Sequence, residues 1–263
     1  MTGIGLVLTR EALDDRLTVA LVQALGDPLA DAGVPLVTRV VENAEQELRA
    51  YAAWRAPNAI EAVVLLGVDA DDQRVRTLRQ LAIPFAALAE TGHVDGYSAV
   101  VYDTADSLDV VRRYLSGTGS RRLIYVAGPE GARMPDARVA AIAKSKGELA
   151  IHVVRSGAET VVQDGISALG EEPAVIIVDS DVAAIALTAA LTARGTRVPD
   201  DAAVLCWTDS VLCQSAQPTI TAVNNRASEL GALLGDCVLR AATSEDPIVV
   251  HAPLPFIVAR ESA

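Results

Sequence analysis

The sequence predicts an α/β fold with two Rossmann-like lobes, each built on a parallel sheet. Short, almost continuous apolar runs alternate along the chain with segments whose apolar residues recur at helical spacing. This alternation is typical of parallel strands that helices cover on both faces. The apolar fraction is 51% and the aromatic fraction only 3%, so Ala, Val, Leu and Ile fill the core. A chain of 263 residues is long enough for two such lobes.

The first series of strands and helices begins directly at the start of the chain. Apolar runs predict strands at 4–8, 35–41, 62–66, 85–88 and 99–102. Helical spacing predicts helices at 17–29, 44–55, 71–81 and 105–115. Gly117 and Gly119 follow the last of these helices as stop signals.

The pattern then restarts, which indicates a second lobe. Strands are predicted at 123–127, 150–154, 174–178 and 203–206, and two short ones at 248–250 and 256–258. Helices are predicted at 135–146, 160–169, 181–194 and, as a long and strongly apolar segment, 227–242.

No Gly/Ser-rich linker separates the two series, so we expect the chain to cross between lobes three times. The expected crossings lie near Tyr102-Asp103, Asn224-Asn225 and Asp246-Pro247. The N-terminal lobe then comprises residues 1–102 and 226–246, and the C-terminal lobe residues 103–225 and 247–263. Three crossings predict a hinged domain with its ligand in the cleft, beyond the carboxyl ends of the strands.

Composition narrows the classes of function. The formal charge of −12 argues against direct binding of nucleic acid, because neutralising phosphates requires clustered Lys and Arg. Three cysteines in neither a CxxC pair nor a disulfide framework indicate a reducing compartment, and thus the cytoplasm. No run of about 18 apolar residues predicts a membrane span, and the first residues lack the features of an export signal.

The sequence contains no motif typical of a catalytic site, so we do not expect an enzyme. His93, His152 and His251 stand in no motif with a nucleophile, and no G-x-S-x-G elbow occurs. No G-x-G-x-x-G follows the first strand and no P-loop is present, so no nucleotide cofactor is expected. Scattered acidic residues likewise predict no metal site.

Several motifs, taken in order, resemble those of the LacI/GalR family of bacterial transcription regulators. The order and spacing of the motifs, rather than any single one, carry the resemblance, which extends over nearly the whole chain. They are LSGTGSRRLIYVAGP at 115–129, VPDD at 198–201, PTIT at 218–221, ELG at 229–231 and VARES at 258–262.

The resemblance implies the type I periplasmic-binding-protein architecture and a ligand-sensing, dimerising role in transcription regulation. The expected partners are a small polar effector, a sugar or related metabolite, and a second copy of the chain. Operator DNA is the third, reached through a helix-turn-helix domain that lies outside these 263 residues. No membrane partner is expected.

Five residues of the C-terminal lobe match the family's effector-contacting positions. Arg138 matches the arginine of the A-R-x-R-x-x-G-F helix, although the Gly-aromatic pair is missing, and its guanidinium suits hydroxyls or a carboxylate. Ser180 replaces the asparagine of an A-N-D strand end and either contacts the ligand or caps the next helix, and Thr208 replaces the first aspartate of G-F/Y-D-D. Trp207 either packs on a ligand face or is buried behind the cleft. Asn225 is the polar residue after the PTIT strand.

Two aspartates at the same strand ends match the family's pattern. Asp181 stands where it would cap the helix predicted at 181–194, and Asp209 where it would cap a helix starting at Ser210. We expect these residues to serve the fold rather than the ligand.

Three residues of the N-terminal lobe complete the candidate site: Glu90 after the fourth strand, and Thr9 and Arg10 in the first loop. Relatives frequently place an aromatic residue in this loop to stack on a sugar ring. Here the loop is charged and has none, so an ordinary neutral hexose is poorly matched.

Two other functions remain open. The same fold serves solute-binding proteins of transporters, which an export signal upstream would distinguish. Alternatively, the domain is a regulator whose pocket is degenerate and whose output depends on a protein partner.

Overall fold

The computed structural model describes residues 3–13, 15–56, 59–118, 122–130, 133–144, 150–170, 172–244 and 246–263. The chain forms two compact units, which we call the N-terminal unit, residues 1–103 and 226–253, and the C-terminal unit, residues 104–225 and 254–263. Gly119, proposed above as a stop signal, and the last two residues of the helix predicted to end at 146 lie outside the described residues.

The N-terminal unit alternates strands and helices as the apolar pattern predicts. Its strands are β1 (Ile4–Thr9), β2 (Leu36–Val41), β3 (Ala62–Val68), β4 (Phe85–Glu90), β5 (Ser98–Tyr102) and β11 (Val249–His251). Its helices are α1 (Arg16–Asp31), α2 (Ala44–Trp54), α3 (Gln73–Gln80) and α9 (Ala227–Thr243), and a 3-10 turn spans Glu11–Leu13. Asp15, Asn43 and Asp72 cap α1, α2 and α3 through their side chains.

These strands form one six-stranded parallel sheet within the described part of the unit, in the order β11-β5-β4-β3-β1-β2. Apolar clusters cover both faces of the sheet. The expected third crossing near Asp246-Pro247 is wrong. Val249–His251 pairs with β5, so the chain stays in this unit until Pro253.

Helices α1 and α9 pack closely because α9 carries glycine at the contact. A Cβ atom on Gly231 would lie 2.7 Å from Ala24 Cβ and 2.9 Å from Leu25 N, and closer still to the carbonyl oxygen of Leu21. Neighbouring backbone therefore occupies the space that any side chain at 231 would need.

A buried ionic network, which the sequence patterns did not reveal, joins α2 and α3 to the end of β3. Arg74 donates to the Asp72 carboxylate at 2.7 Å and to the Gly67 carbonyl at 2.8 Å. Its second carboxylate partner, Glu47 at 3.5 Å, accepts a hydrogen bond from the Tyr51 hydroxyl at 2.6 Å. Burial works against the charge and lowers the pKa of Arg74, but Asp72 and Glu47 outweigh it, so the net shift is upward.

The C-terminal unit repeats the alternation. Its strands are β6 (Arg122–Ala127), β7 (Ala150–Arg155), β8 (Ala174–Val178), β9 (Ala202–Cys206), β10 (Thr221–Asn224) and β12 (Phe256–Val258). Its helices are α4 (Thr104–Thr118), α5 (Arg133–Lys144), α6 (Val161–Leu169), α7 (Asp181–Ala193) and the short α8 (Val211–Ser215).

The described strands of this unit also form one six-stranded sheet, in the order β12-β10-β9-β8-β6-β7. All neighbours run parallel except β10 and β12, which are antiparallel. Every residue of β8 is buried, because apolar clusters lie on both faces of the sheet. The carboxyl ends of β6, β8 and β9 therefore meet at one edge.

The VARES tail holds this sheet together through polar contacts. The Ser262 hydroxyl donates to the Val204 carbonyl at 2.6 Å and accepts from the Thr221 amide at 2.9 Å. Arg260 donates to the Asp209 carboxylate at 2.7 Å and to the Ile220 carbonyl at 2.6 Å. The tail thus links β9, β10 and the loop before α8.

Replacing Gly231 by alanine tests the packing of α1 on α9. The added methyl group overlaps the backbone of α1, so we expect the free energy of unfolding to fall by about 1–3 kcal/mol. Urea unfolding of the purified domain measures this change.

Gly26→Ala is the matched control, because no heavy atom lies within 4 Å of a Cβ at this position of α1. The same chemical change should raise the free energy of unfolding by roughly 0.5–1 kcal/mol, since alanine favours helix. Equal effects of the two substitutions would contradict the close contact.

Arg260→Ala tests the tail. The side chains of Arg260 and Asp209 are only 12% and 10% exposed, so the substitution leaves a buried carboxylate without its cation. We expect a loss of roughly 3 kcal/mol in the free energy of unfolding. Arg197→Ala removes the exposed ion pair with Asp201 and should leave the urea midpoint within error. Equal losses in the two variants would refute the importance of burial.

Candidate functional site

The candidate residues of the C-terminal unit gather at the edge where β6, β8 and β9 end. Arg138 projects from α5, Trp207 and Thr208 follow β9, Ser180 follows β8 and Asn225 follows β10. The structure brings Arg138, Trp207 and Asn225 together through direct or shared contacts, whereas Ser180 and Thr208 serve mainly the local backbone.

Arg138 is buried and paired with a carboxylate of its own unit. Its guanidinium donates to Asp179, the first residue after β8. The side chain of Arg138 is only 8% exposed, while that of Asp179 is 23% exposed. Burial lowers the pKa of Arg138, but Asp179 and the hydroxyl of Tyr125 outweigh it, so the net shift is upward and the cation persists.

Asp179 is the centre of this network. Its carboxylate accepts from the Tyr125 hydroxyl at 2.8 Å, from the Gly128 amide at 3.1 Å and from Arg138. Burial raises the pKa of Tyr125 well above its ordinary value. The charge of Arg138 opposes this shift and Asp179 adds to it, so this phenol remains a donor. β6, β8 and α5 thereby converge on one carboxylate.

Trp207 lies beneath the guanidinium, and the ring is only 2% exposed. The Arg138 Cζ atom is 4.9 Å from the centroid of the indole, within the range of a cation–π contact. Tyr125 packs edge-on against the same indole, with ring centroids 6.0 Å apart. The sequence predicts that Trp207 either packs on a ligand or is buried. It is buried, and Arg138 occupies one face of its ring.

The helix caps at these strand ends differ from those expected. Asp181 does not cap α7. Ser180 does, because its backbone is extended and its hydroxyl accepts from the Ala183 amide, whereas Asp181 is already the first helical residue. Likewise Ser210, not Asp209, caps α8, by accepting from the Cys213 amide at 3.2 Å. Asp209 instead pairs with Arg260.

Thr208 is buried, and two cysteines hold its backbone. Its amide donates to Cys206 Sγ at 3.4 Å, and the Cys213 thiol donates to its carbonyl at 3.7 Å. A hydrogen bond from the Cys206 thiol, together with those at Ser210, lowers the pKa of Cys213 to about 7. The cysteines therefore fix the loop between β9 and α8.

Asn225 contacts the same site through the backbone of Trp207. Its amide nitrogen donates to the carbonyl oxygen of Trp207 at 2.8 Å, which holds the end of β9 beside the end of β10.

The three candidates of the N-terminal unit lie at the carboxyl ends of β1 and β4. The Thr9 hydroxyl accepts from the Ala12 amide at 3.3 Å. Arg10, whose side chain is 71% exposed, forms two hydrogen bonds with Glu42, at 2.8 and 2.9 Å, and this contact lowers the pKa of Glu42. Glu90 ends β4, in register with Tyr102 of β5, and is half-buried.

Sequence reasoning missed the roles of Asp179 and Tyr125. The signal for Asp179 was its replacement of the alanine in the family's A-N-D pattern, an ionisable side chain directly after a fully buried strand. Tyr125 carried no signal, because a tyrosine within an apolar strand is usual.

Among the residues that the structure describes, no three His, Cys, Asp or Glu side chains are arranged to hold a metal ion. In the same part of the chain, no helix has both the length and the apolar character needed to cross a membrane.

Comparison with known proteins places this geometry in a family. The sequence profile of the periplasmic binding protein-like domain matches residues 112–263, more than half of the chain. The HTH-type transcriptional regulator CelR of Thermobifida fusca is 24% identical over 260 residues, which cover 92% of this chain and 74% of CelR.

Solved structures agree. The crystal structure of a LacI family transcriptional regulator from Bifidobacterium animalis subsp. lactis superposes with a TM-score of 0.88 and 26% identity, covering 100% of this chain and 97% of the other. A CelR–cellobiose complex gives a TM-score of 0.78 with 20% identity, covering 100% and 85%. The protein has the type I periplasmic-binding-protein fold. The chain belongs to the periplasmic binding protein-like domain family, as an effector-binding domain of the LacI type.

Proposed function

We propose that this domain senses a small polar effector, a sugar or related metabolite, at the edge of the C-terminal sheet where its strands end. The observation that carries the proposal is the polar network at the ends of β6, β8 and β9, where Arg138, Asp179 and Trp207 meet. In open α/β sheets this edge is where ligands bind. The related CelR has been solved with cellobiose, which supports a saccharide as the first compound to test.

The sensing must favour one conformational state of the domain over another. A ligand shifts a conformational equilibrium only by its difference in affinity for the two states. We propose that the shift passes, in a cytoplasmic homodimer, to helix-turn-helix domains bound at operator DNA. Thr9, Arg10 and Glu90 are the candidate contacts from the N-terminal lobe.

A second candidate function follows from the same network. Arg138, matched to a family ligand position, is already paired with Asp179 inside its own unit. A regulator whose pocket is filled in this way would respond to a protein partner instead of a small molecule.

A thermal-shift panel separates the two candidates. We expect at least one of a set of saccharides, polyols, nucleosides and small acids, each at millimolar concentration, to raise the unfolding midpoint, because a ligand that binds only the folded state stabilises it. Cellobiose is the first probe. If no compound in the panel shifts the midpoint, the partner-dependent regulator becomes the better description.

Arg138→Lys tests the site residue. Lysine keeps a cation beside Asp179 but lacks the planar guanidinium that lies over Trp207. We expect binding of the compound found in the panel to weaken by at least about tenfold, with little change in the unfolding midpoint. Isothermal titration calorimetry measures the affinity, and Arg194→Lys, at the exposed end of α7, is the control. Unchanged affinity in Arg138→Lys removes this residue from the site.

The proposed homodimer is tested by light scattering of the domain at micromolar concentration. We expect a mass twice that of the 27.4 kDa chain. A monomer under these conditions contradicts dimerisation through this domain.

A further inference from the structure

We propose that Asp179 sets the charge specificity of this strand-end site, so that the domain takes an uncharged, hydroxyl-bearing effector and rejects anions such as sugar phosphates. The inference rests on the proposed function and concerns the same site. Its basis is the charge balance at the edge where β6, β8 and β9 end.

The cation that would attract an anion is already neutralised. Arg138 donates to Asp179, and the carboxylate is held in place by the Tyr125 hydroxyl and the Gly128 amide. Arg138 is almost fully covered, and the partner that reaches further into solvent is the carboxylate. An incoming ligand therefore meets negative charge before it meets the guanidinium.

The neighbouring guanidinium offers no free positive charge either. Arg155 donates to the Gly128 carbonyl at 3.1 Å and pairs with Asp136 at 2.6 Å. Among the described residues of this edge, an anion that binds at Arg138 or Arg155 must displace the paired carboxylate or lie beside it. Either event places like charges together in a partly desolvated site, which is strongly unfavourable.

Two buried polar atoms of the residues that follow β8 and β9 have no hydrogen-bond partner within the described part of the chain, and a hydroxyl group could satisfy either of them. Among the described residues, no acceptor lies within hydrogen-bonding distance of the indole nitrogen of Trp207, and no donor reaches the second carboxylate oxygen of Asp181. Trp207 and Asp181 are 2% and 4% exposed, so each atom needs a partner that bulk solvent does not readily supply. A hydroxyl group can accept from the first or donate to the second.

Asp179 is also the residue that sets this chain apart from the pattern it otherwise matches. The A-N-D strand end has alanine at this position, and alanine would leave the guanidinium of Arg138 without this partner. The aspartate thus converts a cationic subsite into a neutral one.

The test compares wild type with Asp179→Asn, an isosteric change that removes the negative charge and leaves an oxygen for the Gly128 amide. The probes are inorganic phosphate, glucose 6-phosphate, glucose and cellobiose, measured by thermal shift and calorimetry. We expect neither anion to stabilise wild type. Both should stabilise Asp179→Asn, with an effect that salt suppresses, because Arg138 then lacks its counter-charge.

Asp136→Asn is the matched control, since it frees Arg155 by the same chemical change. An equal gain of anion binding in this variant would show a general effect of surface charge and overturn the role of Asp179. So would stabilisation of wild type by phosphate or glucose 6-phosphate, or the absence of any gain in a folded Asp179→Asn.

If Asp179→Asn does not fold, binding to the wild-type domain alone still tests whether anions are rejected. Any neutral compound that binds is then compared with its phosphate ester, which should bind at least about tenfold more weakly. Equal or tighter binding of the ester refutes the inference and leaves the proposed function standing. If no compound binds wild type while Asp179→Asn gains anion binding, the sensing function fails and the charge assignment holds.

Discussion

Both sheets are covered by helices on both faces, and this constraint decides where polar side chains can stand. Strand β8 is apolar and buried along its whole length, so a polar side chain can stand only beyond its carboxyl end. Asp179 occupies that position, and the hydroxyl of Tyr125, from the adjacent strand β6, reaches it. The guanidinium of Arg138 completes the arrangement from α5. The edge where a ligand is expected is also the edge where burial concentrates charge.

The ion pair with Asp179 changes the role expected for Arg138, which matches the family's ligand-binding arginine. Arg138 is not available to a ligand as a free cation, because Asp179 of the same unit pairs with it and the indole of Trp207 lies against it. Such a network is costly to disrupt, because separating the partners leaves a buried charge without compensation. Asp179 therefore balances the charge of Arg138, and the selectivity that we propose rests on hydrogen bonds rather than on net charge.

The segment that identifies the family also supports the site. Arg260 in the VARES tail holds Asp209, and Ser262 joins β9 to β10. Between these anchors lies the loop that carries Trp207 and Thr208, which Cys206 and Cys213 hold by its backbone. The tail motif is thus explained by packing and hydrogen bonding around the end of β9.

The sequence by itself determined the two-unit α/β fold, because apolar periodicity directly reflects which side of each strand and helix is buried. It also determined the family, and it located most helix ends to within a residue or two. Only the tertiary structure decided the partners of Arg138, the capping by Ser180 and Ser210, and the pairing of β11 with β5. Arg138 and Asp179 are 41 positions apart, and no local pattern encodes a contact of that range. The packing of α5 against β6, the strand beside β8, brings the two side chains together.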